Sequence, residues 1–535
     1  MLTGLISWQT TSRVATAADS AKPTRPNIVF VLCDDLGYGD VKAFNPDGKI
    51  ATPNVDRLAA QGMMFTDAHT TSSVCTPTRY SLLTGRYNWR SRMQSGVLGG
   101  LSPPLIEPGR ITVASLLKTN GYHTACFGKW HLGMEWALKS GKFGDNIEQG
   151  SEGWRVDFSQ PIRRGPTTYG FDEYFGISAS LDMVPYTYIE NDRVAVIPTV
   201  DKEFLMMHGK PAGGSTRKGP GAEKFEADDV LPALTRRAVD YIGRRAADAK
   251  QGRPFFLYLP LASPHTPIAP TSEWLGKSGL NPYADFVQQT DAAVGQLLAA
   301  LEHHQLAEDT LFVFTSDNGC SPQADYPALA AKQHNPSYKF RGTKADIFEG
   351  GHRVPFVVRW PAKVRAGTKC EQTISLVDFM ATCAEVLGVK LPDNAGEDSV
   401  SFRPALEGQV EKPFREALVH HSINGSFAIR QGPWKLCLCG DSGGWSDPKP
   451  NAKDAPARAG RQLYNLADDI GERRNVEAEH PEVAARLLAL LEKYVADGRS
   501  TPGEKQSNAV PINLWKGVKR AAEKSEKNLK PAAND

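Results

Sequence analysis

The sequence predicts an α/β fold, with helices covering both faces of a sheet, followed by a smaller C-terminal α+β unit of antiparallel sheet plus helix. Three observations carry this. Apolar, β-branched runs that read as buried strands alternate with segments that read as helices. Three of those runs end in polar or charged residues, at Asp34-Asp35, at His265 and at Asp317-Asn318. After about residue 400 the pattern shifts to closely spaced strands around a Gln-Gly-Pro turn.

Taken in order, NIVFVLCDD (27–35) is a buried strand that stops at two acids. TPNVDRLAAQG (52–62) is a short helix by its punctuation: Thr52 as N-cap, Pro53 at the first helical position, Gly62 at the far end. In VCTPTRYSLLTGR (74–86), Thr76 is placed to cap a helix that holds Pro77 in its first turn and ends at Gly85. ALTRRAVDYIGRR (233–245) is helical and precedes the strand PFFLYLPLASPH (254–265). The segment 283–304 aligns Val287, Val294, Leu298 and Leu301 on one helical face and precedes the strand DTLFVFTSDNG (309–319). FVVRWP (356–361) is a further strand closed by proline.

GSFAIRQGPWKLCLCG (425–440) reads as a hairpin, QLYNLADDIGERRN (462–475) as a strand edge and polar turn, and 481–498 as an amphipathic helix from Pro481 to Gly498. Between them lies the Gly/Pro/Asp-rich loop 440–460. The resulting division is a signal peptide or disordered leader over 1–24, a large unit over 25–410, a C-terminal unit over 411–500, and a solvated, lysine-rich tail over 501–535.

With 535 residues the chain is long enough for two or more domains, and a formal net charge of only +2 argues against a nucleic-acid partner. No run of 18 apolar residues is present, so no membrane span is expected. Small residues around Val14–Ala18 resemble a cleavage site although a basic n-region is missing; export to a periplasmic, secreted or lysosomal-type compartment is the expectation, cytoplasmic residence the alternative. Eight cysteines do not make a disulfide scaffold. Cys437 and Cys439 would share one side of a strand, as a core pair, as a disulfide half or, least naturally, as part of a metal site.

The strand ends suggest chemistry. Asp34, Asp35, Asp317 and Asn318 offer a hard, all-oxygen donor set that suits calcium better than magnesium and either better than zinc. Cys75 at a helix mouth faces unpaired amides that favour anions, and a low-pKa thiolate steadied by Arg79 is one reading of it. A soft thiolate beside a hard cation is an awkward partnership, and a buried structural thiol is the other reading. Lys129 and His131 in GYHTACFGKWHLG (121–133) would share a face of an extended segment, and Lys344 adds a second ammonium near Gly350-Gly351. Two lysines, Arg79, His131 and His265 around a metal would clamp a multiply charged oxyanion and move its protons.

These stretches together resemble the type I sulfatases of the alkaline phosphatase superfamily, and look like the arylsulfatase A and N-acetylgalactosamine-6-sulfatase branch. CTPTRYSLLTG matches the signature Cys-x-Pro-x-Arg-x-x-x-x-Thr-Gly in full. GYHTACFGKWHLG matches the second signature, except that Phe127 stands where a smaller residue is usual; DDLGYGD, SPHTP, SDNG and the lysine before EGGHRVP also agree. The resemblance implies a large mixed central sheet. It implies that a formylglycine-generating enzyme, reading Pro77 and Arg79, oxidises Cys75 to Cα-formylglycine, whose hydrate attacks sulfur. It implies that Asp34, Asp35, Asp317 and Asn318, with modified Cys75, hold one divalent cation, usually calcium. Lys129, His265 and Lys344 would then bind the sulfate group, with His265 and Lys344 protonating the leaving oxygen, and His131 would act as base in the release of sulfate. The substrate implied is a sulfated small molecule or saccharide. A phosphate or phosphonate monoesterase of the same superfamily is the rival enzyme, and a non-catalytic binding protein on the same fold the rival class.

Overall fold

The computed structural model describes residues 25–144, 147, 151–450 and 460–516. The expected leader and the end of the tail lie outside the described residues.

The first strand, Asn27–Cys33, is buried at every position because both its neighbours and both its faces are covered. It pairs in parallel with Phe255–Pro260 on one side and Thr310–Ser316 on the other. Phe255–Pro260 continues in parallel to His123–Lys129 and then to Glu173–Ile177. Beyond Thr310–Ser316 the sheet turns antiparallel at Phe356–Arg359, so the sheet is mixed. Consecutive residues of one strand show why both faces are needed. Phe255 meets Tyr241 of the helix Val230–Lys250, with centroids 5.7 Å apart, whereas Phe256 meets Phe379 of the helix Phe379–Leu387 at 6.3 Å. Phe127, the unusual residue of the second motif, packs edge-on against the same Tyr241.

The helix Cys75–Thr84 is buried on all sides. Its start differs from the expectation. Val74, in an extended conformation, is the N-cap, and Cys75 itself opens the helix. Thr76 is already inside the first turn, where its hydroxyl accepts from the Leu98 amide at 3.2 Å. Gly85 does end the helix, at φ 64°, a conformation that favours glycine.

The C-terminal unit is a four-stranded antiparallel sheet in the order Leu418–His421, Phe427–Gln431, Trp434–Cys437, Gln462–Asn465. The helix Pro481–Asp497 buries Leu487 and Leu491 against it. Cys437 and Cys439 are free thiols packed with Ile347, Phe348 and Tyr464. The tail is not solvated from residue 501 as composition suggested. Ala509 donates its amide to the Arg90 carbonyl at 2.7 Å, and Leu514 joins a core with Tyr87 and Trp89. A few apolar residues in a polar segment suffice to dock it.

A buried polar chain joins the C-terminal sheet to the segment that follows Met63–Phe65, a strand of the large sheet. Lys435 Nζ donates to His352 Nε2 at 2.9 Å, which leaves the His352 hydrogen on Nδ1, aimed at His69 Nδ1 3.0 Å away. His69 Nε2 then donates to Asp67 Oδ1 at 2.9 Å, while Arg430, 3.0 Å from that nitrogen, also directs its hydrogens at Asp67. Lys435 is held between Glu349 at 3.1 Å and Glu472 at 2.8 Å. His420 stacks on His352 with centroids 3.7 Å apart and donates to the Thr70 carbonyl.

Burial pushes His69, His352 and His420 below the usual histidine range and His421 down to about 3. Unfolded, these four would take up protons below about pH 6.5. The unfolded chain then binds more protons than the folded one, so stability falls as pH drops below 6.5, by about 1.4 kcal/mol per pH unit for each histidine. Burial raises Glu472 and Asp317 instead, so their contributions are present at low pH and lost as pH rises, two groups opposing four. Urea unfolding at pH 7 and pH 5 should therefore give a markedly lower midpoint at pH 5; equal midpoints would contradict the buried neutral histidines.

Candidate active site

Parallel register builds the site. Cys33 pairs with Ser316, so Asp34-Asp35 and Asp317-Asn318 leave the sheet side by side at the carboxyl ends of adjacent strands. Asp35 has φ 65°, and its turn is fixed by Asp40, which accepts from the Gly37 amide at 2.7 Å, Tyr283 Oη at 2.5 Å and His334 Nε2 at 2.9 Å. Gly319 is required on the other side, because a Cβ there would lie 1.9 Å from the Gly350 carbonyl oxygen.

Three buried cations answer the three carboxylates. Arg79 donates to Asp317 Oδ2 from Nε at 3.0 Å and Nη2 at 2.7 Å, reaches Asp34 Oδ2 at 3.3 Å, and donates to the Lys129 carbonyl. Lys129 Nζ binds Asp34 Oδ2, and Ser180 Oγ at 2.5 Å. Lys344 Nζ spans both oxygens of Asp35, at 2.7 and 2.9 Å. His265 places Nε2 3.6 Å from Asp35 Oδ2 and donates from Nδ1 to the Thr266 carbonyl. His131 donates from Nε2 to the Leu98 carbonyl at 2.7 Å, and its buried Nδ1 has no partner. The chain is not extended at His131, where φ is 55°.

Burial would raise the Asp34 carboxyl, but Lys129, His265 and Arg79 outweigh it and hold it well below the usual range. Burial and the neighbouring Asp34 push Asp317 up. Burial lowers Lys344, yet Asp35 wins and raises it, so it stays an ammonium. Burial, helped by Lys129 and Arg79, keeps His131 neutral. The Cys75 thiol is raised by burial despite Lys129 and Lys344, so the helix mouth does not make it a low-pKa thiolate.

The donor set fits a hard divalent cation. Asp34 Oδ1 and Asn318 Oδ1 are buried acceptors with no partner, because Lys129 and Arg79 occupy Asp34 Oδ2, and Asn318 donates its amide nitrogen to Asp35 at 2.7 Å. Ligand atoms of Asp34, Cys75 and Asp317 lie within 4.8 Å of one another, as do those of Asp34, Asp35 and His265. Asp34, Asp35, Cys75, Arg79, Lys129, His265, Asp317, Asn318 and Lys344 thus meet in one cluster, whose Lys129 and Arg79 also act electrostatically on His131. Lys344 and His265 are 5% and 7% exposed whereas Lys129, Arg79 and His131 are 0%, so the site opens over the first two. Ser180 and Asp40 were not anticipated as site residues. Only Asp40 lies in a motif, DDLGYGD, and Ser180 is 51 residues from the lysine it holds.

A family model described as sulfatase matches residues 26–389, more than half the chain. The chain belongs to the sulfatase family. A second model, the C-terminal part of N-sulphoglucosamine sulphohydrolase, matches 343–437. Among curated proteins the sulfatase is 33% identical over 503 residues to the N-acetylgalactosamine-6-O-sulfatase of Bacteroides thetaiotaomicron, covering 88% of this chain and 93% of that one. It is 33% identical over 520 residues to human arylsulfatase A, covering 92% of each. A solved Bacteroides thetaiotaomicron sulfatase, from work on the metabolism of multiple glycosaminoglycans, superposes with a TM-score of 0.74 at 32% identity, covering 88% of this chain and 99% of that one. The protein is therefore a type I sulfatase of the alkaline phosphatase superfamily, a sulfuric-ester hydrolase related to the arylsulfatase A and N-acetylgalactosamine-6-sulfatase branch. No helix among the described residues is long and apolar enough to cross a membrane.

Adding calcium to chelator-treated protein at pH 6 should release protons, since burial and the neighbouring Asp34 push Asp317 up in the ion-free site. It should also stabilise the fold by about 2.7 kcal/mol at a hundredfold excess over Kd. Proton release in weak buffer and thermal unfolding read the two effects, and Asp317→Asn should abolish the release.

Proposed function

We propose that this sulfatase hydrolyses sulfate monoesters of carbohydrates through the hydrated formylglycine form of Cys75 and a covalent sulfate. The observation that carries it is the position of Cys75, at the first residue of a buried helix, with its Sγ among the carboxylates of Asp34 and Asp317. That sulfur stands where the formylglycine oxygens would be. Calcium held by Asp34, Asp35, Asp317 and Asn318 would supply positive charge to the sulfate oxygens and to the nucleophile. Arg79 fixes Asp317 and Asp34 and so the orientation of that donor set. Lys129 and Lys344, both buried and already aligned on carboxylates, draw in the sulfate oxygens and stabilise charge developing on them. His265, at the open side, presents Nε2 to the departing alcohol oxygen as its proton donor, with Lys344 beside it. His131, kept neutral with Nδ1 free, accepts the proton whose loss drives sulfate release. The carbohydrate preference is supported by the relative that acts as an N-acetylgalactosamine-6-O-sulfatase.

Three measurements test the proposal. The tryptic peptide Leu58–Arg79 of active protein should be about 18 Da lighter than its thiol form, and unmodified thiol in fully active protein would defeat the mechanism. A sulfate monoester should be turned over faster than the matching phosphate monoester. His265→Ala should lower kcat by about a hundredfold, with a larger loss for an alkyl than for a phenolic leaving group, as a missing general acid requires.

A further inference from the structure

The sulfate-binding groups lie at the bottom of the site, and its mouth is over Lys344 and His265. A tight C-terminal loop packs on the turn that carries Lys344. The Ser442 amide donates to the Pro448 carbonyl at 2.8 Å and closes it. The Ile347 amide donates to the Ser442 carbonyl at 2.8 Å, and Gly444 lies so close to Ala345 that a Cβ would be 2.5 Å from its carbonyl carbon. Buried Asp346 ties this loop to the lysine turn. Its Oδ1 accepts from the Trp445 amide at 2.8 Å and the Ser446 amide at 3.0 Å, while its Oδ2 accepts from the Thr343 amide at 2.8 Å. One carboxylate therefore holds residues on both sides of Lys344 in register with the tip of the loop.

At that tip stands Trp445, 41% exposed. The other large exposed apolar side chains among the described residues are Val196, Ile197, Leu205 and Val410, so Trp445 is the one aromatic among them. An indole this exposed on a firmly held loop keeps apolar surface in water that a ligand can bury. From this placement we infer that Trp445 is a leaving-group-binding residue, whose indole packs against the apolar face of a pyranose ring while the sulfate of that ring reaches Lys129 and Lys344. The C–H face of a sugar offers the indole apolar contact, and the sugar hydroxyls at the ring edge stay in water. The inference rests on the sulfatase reading above and adds to it the residue that recognises the sugar.

The test compares wild type, Trp445→Ala and Trp445→Phe on N-acetylgalactosamine 6-sulfate, with inorganic sulfate as competitive inhibitor. Losing the stacked face should lower kcat/KM for the sugar sulfate about tenfold, mainly through KM, in the alanine variant. The phenylalanine variant should recover most of it. The inhibition constant of inorganic sulfate, which touches only the bottom of the site, should be unchanged in both. Unchanged kcat/KM in Trp445→Ala, or an equal loss of sulfate inhibition, overturns the inference, the second outcome marking Trp445 as structural. A wild type that releases sulfate from p-nitrophenyl sulfate but not from the sugar overturns the pyranose assignment. A wild type that releases sulfate from neither, yet cleaves a phosphate ester, overturns the sulfatase reading instead.

Discussion

Three carboxylates are buried side by side at the ends of two parallel strands, and the rest of the structure is arranged around making that tolerable. Asp34, Asp35 and Asp317 are all within 1% of complete burial. Left alone they would protonate, because burial and mutual repulsion both favour the neutral acid. Arg79, Lys129 and Lys344 bring three charges of the opposite sign, each bound to a particular carboxylate. The three cations come from a helix, a strand end and a turn after the Asp317 strand, so the charge balance also ties these elements together. Breaking such a pair leaves an unmatched buried charge, which typically costs about 3–5 kcal/mol. With the carboxylates neutralised, a divalent cation added to them leaves net positive charge for an oxyanion.

The C-terminal sheet belongs to this arrangement and is more than an appendage. The Ser73 amide, two residues before Cys75, donates to the His421 carbonyl, and the Ser73 carbonyl accepts from the Ala345 amide. Ile423 donates in turn to the Ala345 carbonyl. The approach to the nucleophile and the turn that presents Lys344 are thus bonded to each other and to the C-terminal strand Leu418–His421. The chain from Lys435 through His352 and His69 to Asp67 fastens the C-terminal sheet to the segment that follows Met63–Phe65 as well.

Much of the buried charged cluster was legible because its residues sit in short contiguous motifs at strand ends, where a run of buried apolar residues stops at charge. Asp34-Asp35 and Asp317-Asn318 are of this kind, and strand register then brings them together. The connection between the sheets was not legible. Lys435 and Glu349 are 86 residues apart and Arg430 and Asp67 363 apart, and each alone resembles an ordinary surface charge. The start of the Cys75 helix was misplaced by two residues, because a threonine before a proline is the usual sign of a cap, whereas here extended Val74 precedes the helix and Thr76 is turned toward Leu98. The docked tail escaped for a related reason: Leu514 lies in a short apolar stretch, Val510 to Trp515, broken by Pro511 and Asn513, with no periodicity to betray it.

The sequence also raised a chemical misfit at Cys75, and the structure makes it more acute. The sulfur lies in a site whose other donors are carboxylate and amide oxygens, and burial holds its proton on despite two nearby ammonium groups. A thiol in that state is neither a good nucleophile nor a good ligand for a hard cation. Replacing the sulfur by the oxygens of a hydrated aldehyde removes both objections without moving any other atom, since it makes the donor set uniformly hard. It also leaves the unpaired amides of the helix start beside an oxygen-bearing group that develops negative charge. The surroundings of Cys75 are thus better matched to the proposed product of its oxidation than to the residue that is encoded.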